Sequence, residues 1–396
     1  MFSGLNKKMP DNKRSLFAGK ILMVAGEPSG DRHGADLARA LQGILPKVKL
    51  WGMGGDAMCG AGVELKVHMR EVSVVGIVEV LGHLGAAFRC RKALMMEVDR
   101  DPPALAILID FPDFNLWLAR ALKRRGIPLM YYIAPQVWAW RRRRLRLMAR
   151  LLDRMAVILP FEESLFRDAG IISEYVGHPL VEQTPRAESK QQACAVLGLP
   201  PDAPVLGLLP GSRSREVEHI LPVMLEGVKQ VQKVLSDVQA VVALSPLVSK
   251  SWVEEKIREY GLVARAVQGH THHVIRASRL AVVASGTATL EIALLETPMV
   301  VVYRASWISY ALGRLLVRVK HIALVNILAG ERIVPELLQN DLTSTNIRDH
   351  VLGLWRDEGA RQEMVERLRL VGESLGSRRA SQRAARMVLD MMRGLA

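Results

Sequence analysis

A chain of 396 residues, 49% of them hydrophobic, is too long for one ordinary core and too apolar to be disordered, so about two to three domains are expected. No uninterrupted apolar run reaches the roughly 18 residues of a membrane span, which reads as a soluble or peripheral protein, and three widely spaced cysteines (Cys59, Cys90, Cys194) argue against a disulfide scaffold and suit the reducing cytoplasm. The net charge of +14 is concentrated: Arg120, Lys123, Arg124, Arg125, Arg141 to Arg144, Arg146, Arg150 and Arg154 face only Asp153 in the same span, a field that attracts polyanions or forms a solvated basic face.

Residues 1–19, polar and with Lys7, Lys8, Lys13 and Arg14, read as a flexible basic arm, and the apolar run that follows, Ile21–Ala25, is too short for a signal peptide and reads as a first strand. Short apolar runs then alternate with segments of helical period: Lys20–Ala25, Val48–Trp51, Leu105–Ile109, Pro128–Ile133 and Met155–Leu159. That order is the signature of a parallel sheet wrapped by helices, assigned to residues 20–180. Two prolines and polar residues interrupt both periods at Gly177–Arg186, a linker. The alternation restarts with Val205–Leu209, Val238–Leu244, Leu280–Ala284 and Met299–Val302, giving a second domain over 181–380. A last helix, residues 381–396, carries Ala384, Ala385, Val388, Leu389 and Met392 on one face, free to cross back onto the first domain. The fold class is α/β, with two Rossmann-like doubly wound domains.

Open parallel sheets bind ligands beyond the carboxyl ends of their strands, so the strand-to-helix turns are where chemistry is expected. Ala25-Gly-Glu-Pro-Ser-Gly-Asp31 carries two glycines and two carboxylates but neither a Walker nor a dinucleotide spacing. Asp31 reads as an N-cap, while Glu27 lies in the turn itself. Ile109-Asp-Phe-Pro-Asp-Phe-Asn115 closes the most apolar strand of the first half; an acid at Asp110 is costly there unless paired or solvated, and Asp113 reads as a helix cap.

In Leu208-Leu-Pro-Gly-Ser-Arg-Ser-Arg-Glu-Val-Glu218, a glycine turn with two arginines opens a helix. Its free N–H groups suit an anion, Gly211 permits close approach, and Arg213 or Arg215 can fork onto oxygens; alternatively Ser212 caps the helix and both arginines are solvated. Ala284-Ser-Gly-Thr-Ala-Thr-Leu-Glu291 makes a second cradle, in which Ser285, Gly286, Thr287, Ala288 and Thr289 supply N–H groups and hydroxyls, and Glu291 a carboxylate one turn on. A diphosphate joined to a ribose needs both kinds of group.

Other constellations are weaker. His270-Thr-His-His273 lacks a carboxylate or cysteine at ligand spacing, so no metal is assigned, and His178 reads as a loop histidine. The aromatic loop Tyr132–Trp140, beside Arg141, lines an acceptor pocket or plugs the sheet end. Val74–Phe88, with Arg89, Arg91 and Lys92 after it, and Trp307–Lys320 carry apolar faces suited to a membrane interface or to a core.

Taken together these turns resemble the lipid-A-disaccharide synthase family over nearly the whole chain after about residue 20. The resemblance rests on Gly26-Glu-Pro-Ser-Gly-Asp31, Gly76-Ile-Val-Glu-Val-Leu81, Asp110-Phe-Pro-Asp-Phe-Asn115, Pro135-Gln-Val-Trp-Ala-Trp-Arg141, Leu159-Pro-Phe-Glu162, Val176-Gly-His-Pro179, Leu209-Pro-Gly-Ser-Arg213 and Ala284–Glu291. It implies the GT-B type of glycosyltransferase fold, two domains facing a cleft with the UDP-sugar mainly on the second. It also implies inverting transfer of 2,3-diacylglucosamine from UDP to the 6-hydroxyl of 2,3-diacylglucosamine 1-phosphate, giving a β-1′,6-linked disaccharide and UDP, with no metal or other cofactor.

Carried over by position, the family's acidic residue in the first turn is Glu27, its strand-end aspartate Asp110, its loop arginine Arg213 and its asparagine near the nucleotide Asn326. Ser29, Gly30, Asp31, Trp138 and Arg141 are acceptor-side candidates. Pro28, Ala134 and Gln136 depart from the family pattern. The implied setting is peripheral, on the anionic cytoplasmic face of a Gram-negative inner membrane, with no nucleic acid and with a homodimer left open. The competing expectations are another UDP-sugar enzyme of the same fold, such as an epimerase, and a non-catalytic basic protein binding membrane or nucleic acid.

Overall fold

The computed structural model describes residues 19–71, 80–135, 143–185, 187–304, 320–377 and 379–394. They divide into two compact units, one comprising the chain up to Glu182 together with everything from Ser377 on, the other Gln183–Gly376. Each contains one parallel sheet.

The first unit runs β1 (Lys20–Ala25), α1 (Pro28–Ile44), β2 (Lys49–Gly54), α2 (Asp56–Gly60), β3 (Glu64–His68), α3 (Val80–Arg100), β4 (Leu105–Ile109), α4 (Pro112–Lys123), β5 (Leu129–Tyr132), α5 (Arg143–Leu151), β6 (Arg154–Val157), α6 (Pro160–Asp168), β7 (Ser173–Tyr175) and α7 (Leu180–Gln183). Its strands lie in the order β3-β2-β1-β4-β5-β6-β7. The order reverses between β1 and β4, whose side chains from Ile21 to Ala25 and from Leu105 to Ile109 are wholly buried. Both strands are near-continuous apolar runs because the sheet is covered on both faces. Ala25 pairs with Ile109, so the turns after these strands leave the sheet side by side, at the switch point where doubly wound folds bind ligands.

The second unit repeats the plan with α8 (Lys190–Val196), β8 (Val205–Leu209), α9 (Ser214–Gln232), β9 (Gln239–Leu244), α10 (Lys250–Tyr260), β10 (Ala264–Gln268), α11 (Thr271–Ala277), β11 (Ser278–Ala284), α12 (Ala288–Leu294), β12 (Met299–Tyr303), α13 (Leu324–Ala329), β13 (Glu336–Leu338), α14 (Ser344–Arg356) and α15 (Glu358–Ser374). The order is β10-β9-β8-β11-β12-β13, with Leu209 of β8 paired to Val283 of β11. Here too the reversal sets two motif-bearing turns next to each other.

The last helix, α16 (Ala380–Gly394), completes the first unit. Ala384, Ala385, Val388 and Met392 share a core with Leu37 and Leu41 of α1. The start of α16 is pinned by Ser381, whose N–H and hydroxyl both donate to the Glu182 carboxylate (3.3 and 3.0 Å).

Candidate active site

In the first unit the β1–α1 turn begins at Gly26, where a Cβ would lie 2.2 Å from the Phe111 ring. Only glycine admits that ring, so the β1–α1 and β4–α4 turns interlock. Glu27 occupies the N-cap position of α1 in extended conformation, its side chain half-buried and not engaged in capping. Pro28 follows at the first helical position, where its fixed φ and missing N–H are no handicap; this departure from the family pattern therefore suits the local backbone. Ser29 is half-buried and Gly30 buried beside them.

Asp110 and Phe111 are consecutive non-glycine residues in the left-handed region, with φ of 46° and 47°. Such a pair is strained and persists only where its surroundings fix it. Tyr131 donates its hydroxyl to the Asp110 carbonyl at 2.6 Å, the Asn115 amide donates to the same oxygen at 2.7 Å and to Ile109 at 3.2 Å, and the Asp110 N–H reaches the Tyr132 carbonyl at 3.1 Å. The carboxyl pKa of Asp110 is pushed up to about 6, chiefly by burial and then by the charge of Glu27, with the Phe111 N–H opposing. A carboxylate of this pKa, carried on a backbone fixed by those bonds, is suited to accept a proton near neutrality.

Asp31 does other work. It lies in the first turn of α1 rather than at the N-cap, and its buried carboxylate accepts from the N–H groups of Gly55 (2.7 Å), Ala57 (3.0 Å) and Met58 (3.0 Å), capping α2. Replacing Asp31 by Ala strands three N–H groups and is expected to cost about 3 kcal/mol, lowering the thermal midpoint by roughly 5–10 °C, as scanning calorimetry would show. Asp113 is likewise no N-cap: that position belongs to Phe111, and Asp113, two residues on, pairs with Arg144. His178 is buried, its Nδ1 accepts from the Leu180 N–H at 3.2 Å, and burial followed by the proximity of His33 lowers its pKa to about 3. It is a neutral structural histidine. Trp138 and Arg141 lie outside the described residues, as do residues 74–79 and 307–319 of the two apolar segments.

In the second unit the β8–α9 turn bends at Gly211, with φ +120°. The N-cap of α9 is Arg213, not Ser212. Ser212 and Arg213 are exposed, and among the described residues the Arg213 guanidinium has no ion-pair partner. The Ser214 hydroxyl ties the turn to the β9–α10 loop through the Leu247 carbonyl at 3.0 Å.

The neighbouring β11–α12 turn starts at Ser285, whose N–H donates to Val302 (2.8 Å) and whose hydroxyl donates to Ile322 (3.2 Å). Thr287 is the exposed N-cap, whereas Thr289 is buried with its hydroxyl donated to the Gly286 carbonyl at 2.8 Å. Among the described residues the N–H groups of Gly286, Thr287 and Ala288 have no backbone acceptor. Glu291 meets His272 at 3.0 Å, and His273 meets Glu188 at 3.2 Å. The histidine run thus contacts carboxylates, and among the described residues no group of three or more metal-ligating side chains assembles.

Asn326 is wholly buried and saturated. Its amide nitrogen donates to Val334 (3.0 Å) and to the Glu336 carboxylate (2.7 Å), and its oxygen accepts from the N–H groups of Ile333 (2.8 Å) and Val334 (3.0 Å). Glu336 also accepts from Ile322 (3.2 Å) and Ala323 (3.0 Å), closing the N-terminus of α13. Asn326 therefore has no hydrogen-bonding capacity left for a nucleotide; it braces the segment whose Ile322 carbonyl holds Ser285. Glu336, Tyr131 and Asn115 are the supporting residues that sequence reasoning missed, although Asn115 ends a motif that marked the turn.

Comparison with known proteins adds to this geometry. A family model described as lipid-A-disaccharide synthetase matches residues 21–388. A lipid-A-disaccharide synthase of Myxococcus xanthus is 44% identical over 373 residues, covering 94% of this chain and 97% of the relative, and one of Geobacter sulfurreducens is 41% identical over 374 residues, covering 94% and 97%. Among solved structures, the calicheamicin glycosyltransferase CalG4 superposes with a TM-score of 0.63 at 16% identity, covering 95% of this chain and 98% of that one. The UDP-GlcNAc 2-epimerase of Neisseria meningitidis bound to UDP-GlcNAc gives 0.64 at 12% identity, covering 94% and 100%. At such identities the two structures show a shared fold.

Proposed function

The chain belongs to the lipid-A-disaccharide synthase family and is a glycosyltransferase, and on that premise we propose that it moves 2,3-diacylglucosamine from UDP to the 6-hydroxyl of 2,3-diacylglucosamine 1-phosphate. Asp110 carries the reading: a half-buried carboxyl of pKa about 6, beside Glu27 and on a strained backbone at a strand end, is costly to a fold and useful to a base. Asp110 takes the acceptor's 6-hydroxyl proton as that oxygen bonds to the anomeric carbon. The anomeric C–O bond to the diphosphate breaks on the opposite side, inverting the centre to a β-1′,6 linkage. The departing electron pair stays on UDP, whose diphosphate is met by Arg213 and by the N–H groups of Gly286, Thr287 and Ala288, as positioned donors meet developing charge elsewhere. Glu291, which meets His272 at 3.0 Å, accepts from the ribose hydroxyls in this reading. The UDP-GlcNAc named with the Neisseria epimerase supports a nucleotide-sugar on this fold.

Diacylated substrates reside in membranes. Among the described residues no helix is long and apolar enough to cross one. On α3, Phe88 and Met96 are 56% and 63% exposed, and Arg91 stacks over Trp117 at 4.3 Å. Together with the exposed Arg146 and Arg150 of α5 these groups fit peripheral binding at an anionic cytoplasmic face. The activity is checked by incubating purified protein with both diacylated substrates and following disaccharide and UDP by mass spectrometry. Disaccharide is expected, and in lower yield from unacylated sugars; epimerised donor, or UDP release without disaccharide, would sink the assignment.

A further inference from the structure

A cavity of about 390 Å³ opens on the second unit, and no residue of the β8–α9 or β11–α12 turn lines it. Its wall is mostly apolar, built by Ile333, Val334 and Pro335 of the segment before β13, Leu354 of α14, and Ala360 and Met364 of α15. Arg332, His350, Glu363 and Arg367 complete it. Arg367 is occupied, meeting Glu363 at 2.8 Å and Glu331 at 3.0 Å. Arg332 is exposed, donates to the Glu336 carbonyl at 3.2 Å, and among the described residues has no ion-pair partner. The His350 ring, its pKa lowered first by burial and then by Arg332 against the pull of Asp349, is neutral at pH 7 and offers one N–H. Apolar walls around roughly 300–1,000 Å³, with a few placed polar groups, are the usual build of a ligand pocket.

We propose that this cavity is a second binding site, which takes a single-chain carboxylate of the fatty-acid type, its chain on Ile333, Leu354 and Met364 and its head on Arg332 and His350, and which is coupled to the β11–α12 turn. One unpaired guanidinium selects a monoanion over a neutral or cationic chain, and the imidazole N–H beside it matches the second carboxylate oxygen. A relay of hydrogen bonds joins the wall to the turn. Ile333 and Val334 donate to Asn326, Asn326 donates to Glu336, Glu336 accepts from Ile322, and the Ile322 carbonyl holds the Ser285 hydroxyl. A chain packed on Ile333 and Val334 steadies that relay, so UDP meets the Gly286, Thr287 and Ala288 amides at a smaller ordering cost. The effect on UDP rests on the donor reading given above; occupancy of the cavity does not.

Titration calorimetry of the full chain with dodecanoate, dodecanol and UDP tests this, together with hydrogen exchange. Dodecanoate is expected to bind saturably, one to one. Dodecanol on the parent, and dodecanoate on Arg332→Ala, should each bind about tenfold more weakly. Leu354→Trp, which fills the cavity from α14, is a second variant and should abolish binding. Exchange of residues 322–336 should slow with dodecanoate, and UDP should bind about fivefold more tightly in its presence, dodecanoate gaining the same factor from UDP. No dodecanoate binding to the parent, or equal binding to the parent and both folded variants, would overturn the site. Exchange or UDP affinity that bound dodecanoate leaves unchanged would overturn the coupling. If UDP fails to bind while dodecanoate binds and slows exchange, the donor reading falls and the cavity keeps its ligand.

Discussion

Replacing Asp110 by Asn is expected to lower kcat about a thousandfold while making the folded protein more stable at neutral pH. The loss is that of a general base, and asparagine tolerates the left-handed backbone of the position, so the variant should fold. The same pKa fixes two pH profiles. Activity needs the ionised form, so kcat/KM of the parent should rise with pH through about 6 and level off above it. Stability runs the other way. A carboxyl whose folded pKa exceeds its ordinary value of 3.8 stabilises the fold fully below that value, and the contribution is lost as pH rises through about 6. At pH 8 the folded protein therefore carries a partly buried charge at a cost on the order of 2 kcal/mol. Thermal midpoints of parent and Asp110→Asn should coincide at pH 3 and diverge at pH 8, the variant higher. A variant less stable at pH 8, or one with near-normal transfer, would show that Asp110 is not the strained base described.

Arg213→Ala should reduce kcat/KM for the UDP donor by about a hundredfold to a thousandfold, the usual loss on removing one positioned donor to a leaving group. Because Arg213 is exposed and without an ion-pair partner among the described residues, stability should move by less than about 0.5 kcal/mol. Arg213→Lys should recover only part of the rate, since an ammonium offers a point charge where the guanidinium offers a fork. Steady-state kinetics with both substrates varied decide the matter: unchanged donor kinetics in Arg213→Ala would remove this residue from the donor site.

The strands that sequence periodicity marks are β1, β2, β4, β5, β6, β8, β9, β11 and β12, and those it misses are β3, β7, β10 and β13. All four missed strands lie at sheet edges. Glu64-Leu-Lys-Val-His68 and Ala264-Arg-Ala-Val-Gln268 have one flank in water and carry charge there, which erases the apolar run that announces a central strand. The site divides similarly. The turns that carry Glu27, Asp110, Arg213 and Ser285–Glu291 are legible because strand-to-helix turns are local features. The tasks of Asp31 and Asn326 are not, because their partners, Gly55 to Met58 and Ile333 to Glu336, are supplied by other segments of the fold. The same holds for the histidine run: Glu188 and Glu291 sit at no ligand spacing from His273 and His272 yet touch them.

The return of α16 to α1 makes the first unit discontinuous in the chain, with the whole of Gln183–Gly376 inserted before its last helix. During synthesis the β1–β7 sheet is complete long before Ala384, Ala385, Val388 and Met392 emerge to cover Leu37 and Leu41. An apolar face of α1 therefore waits, uncovered, while the inserted unit is made, a state open to aggregation or chaperone capture. Prior folding of the insert would draw Gln183 and Gly376 into one compact body and so shorten the effective loop that α16 has to close. The second unit, last to be needed for the first one's core, is thus the one whose folding sets when that core is sealed.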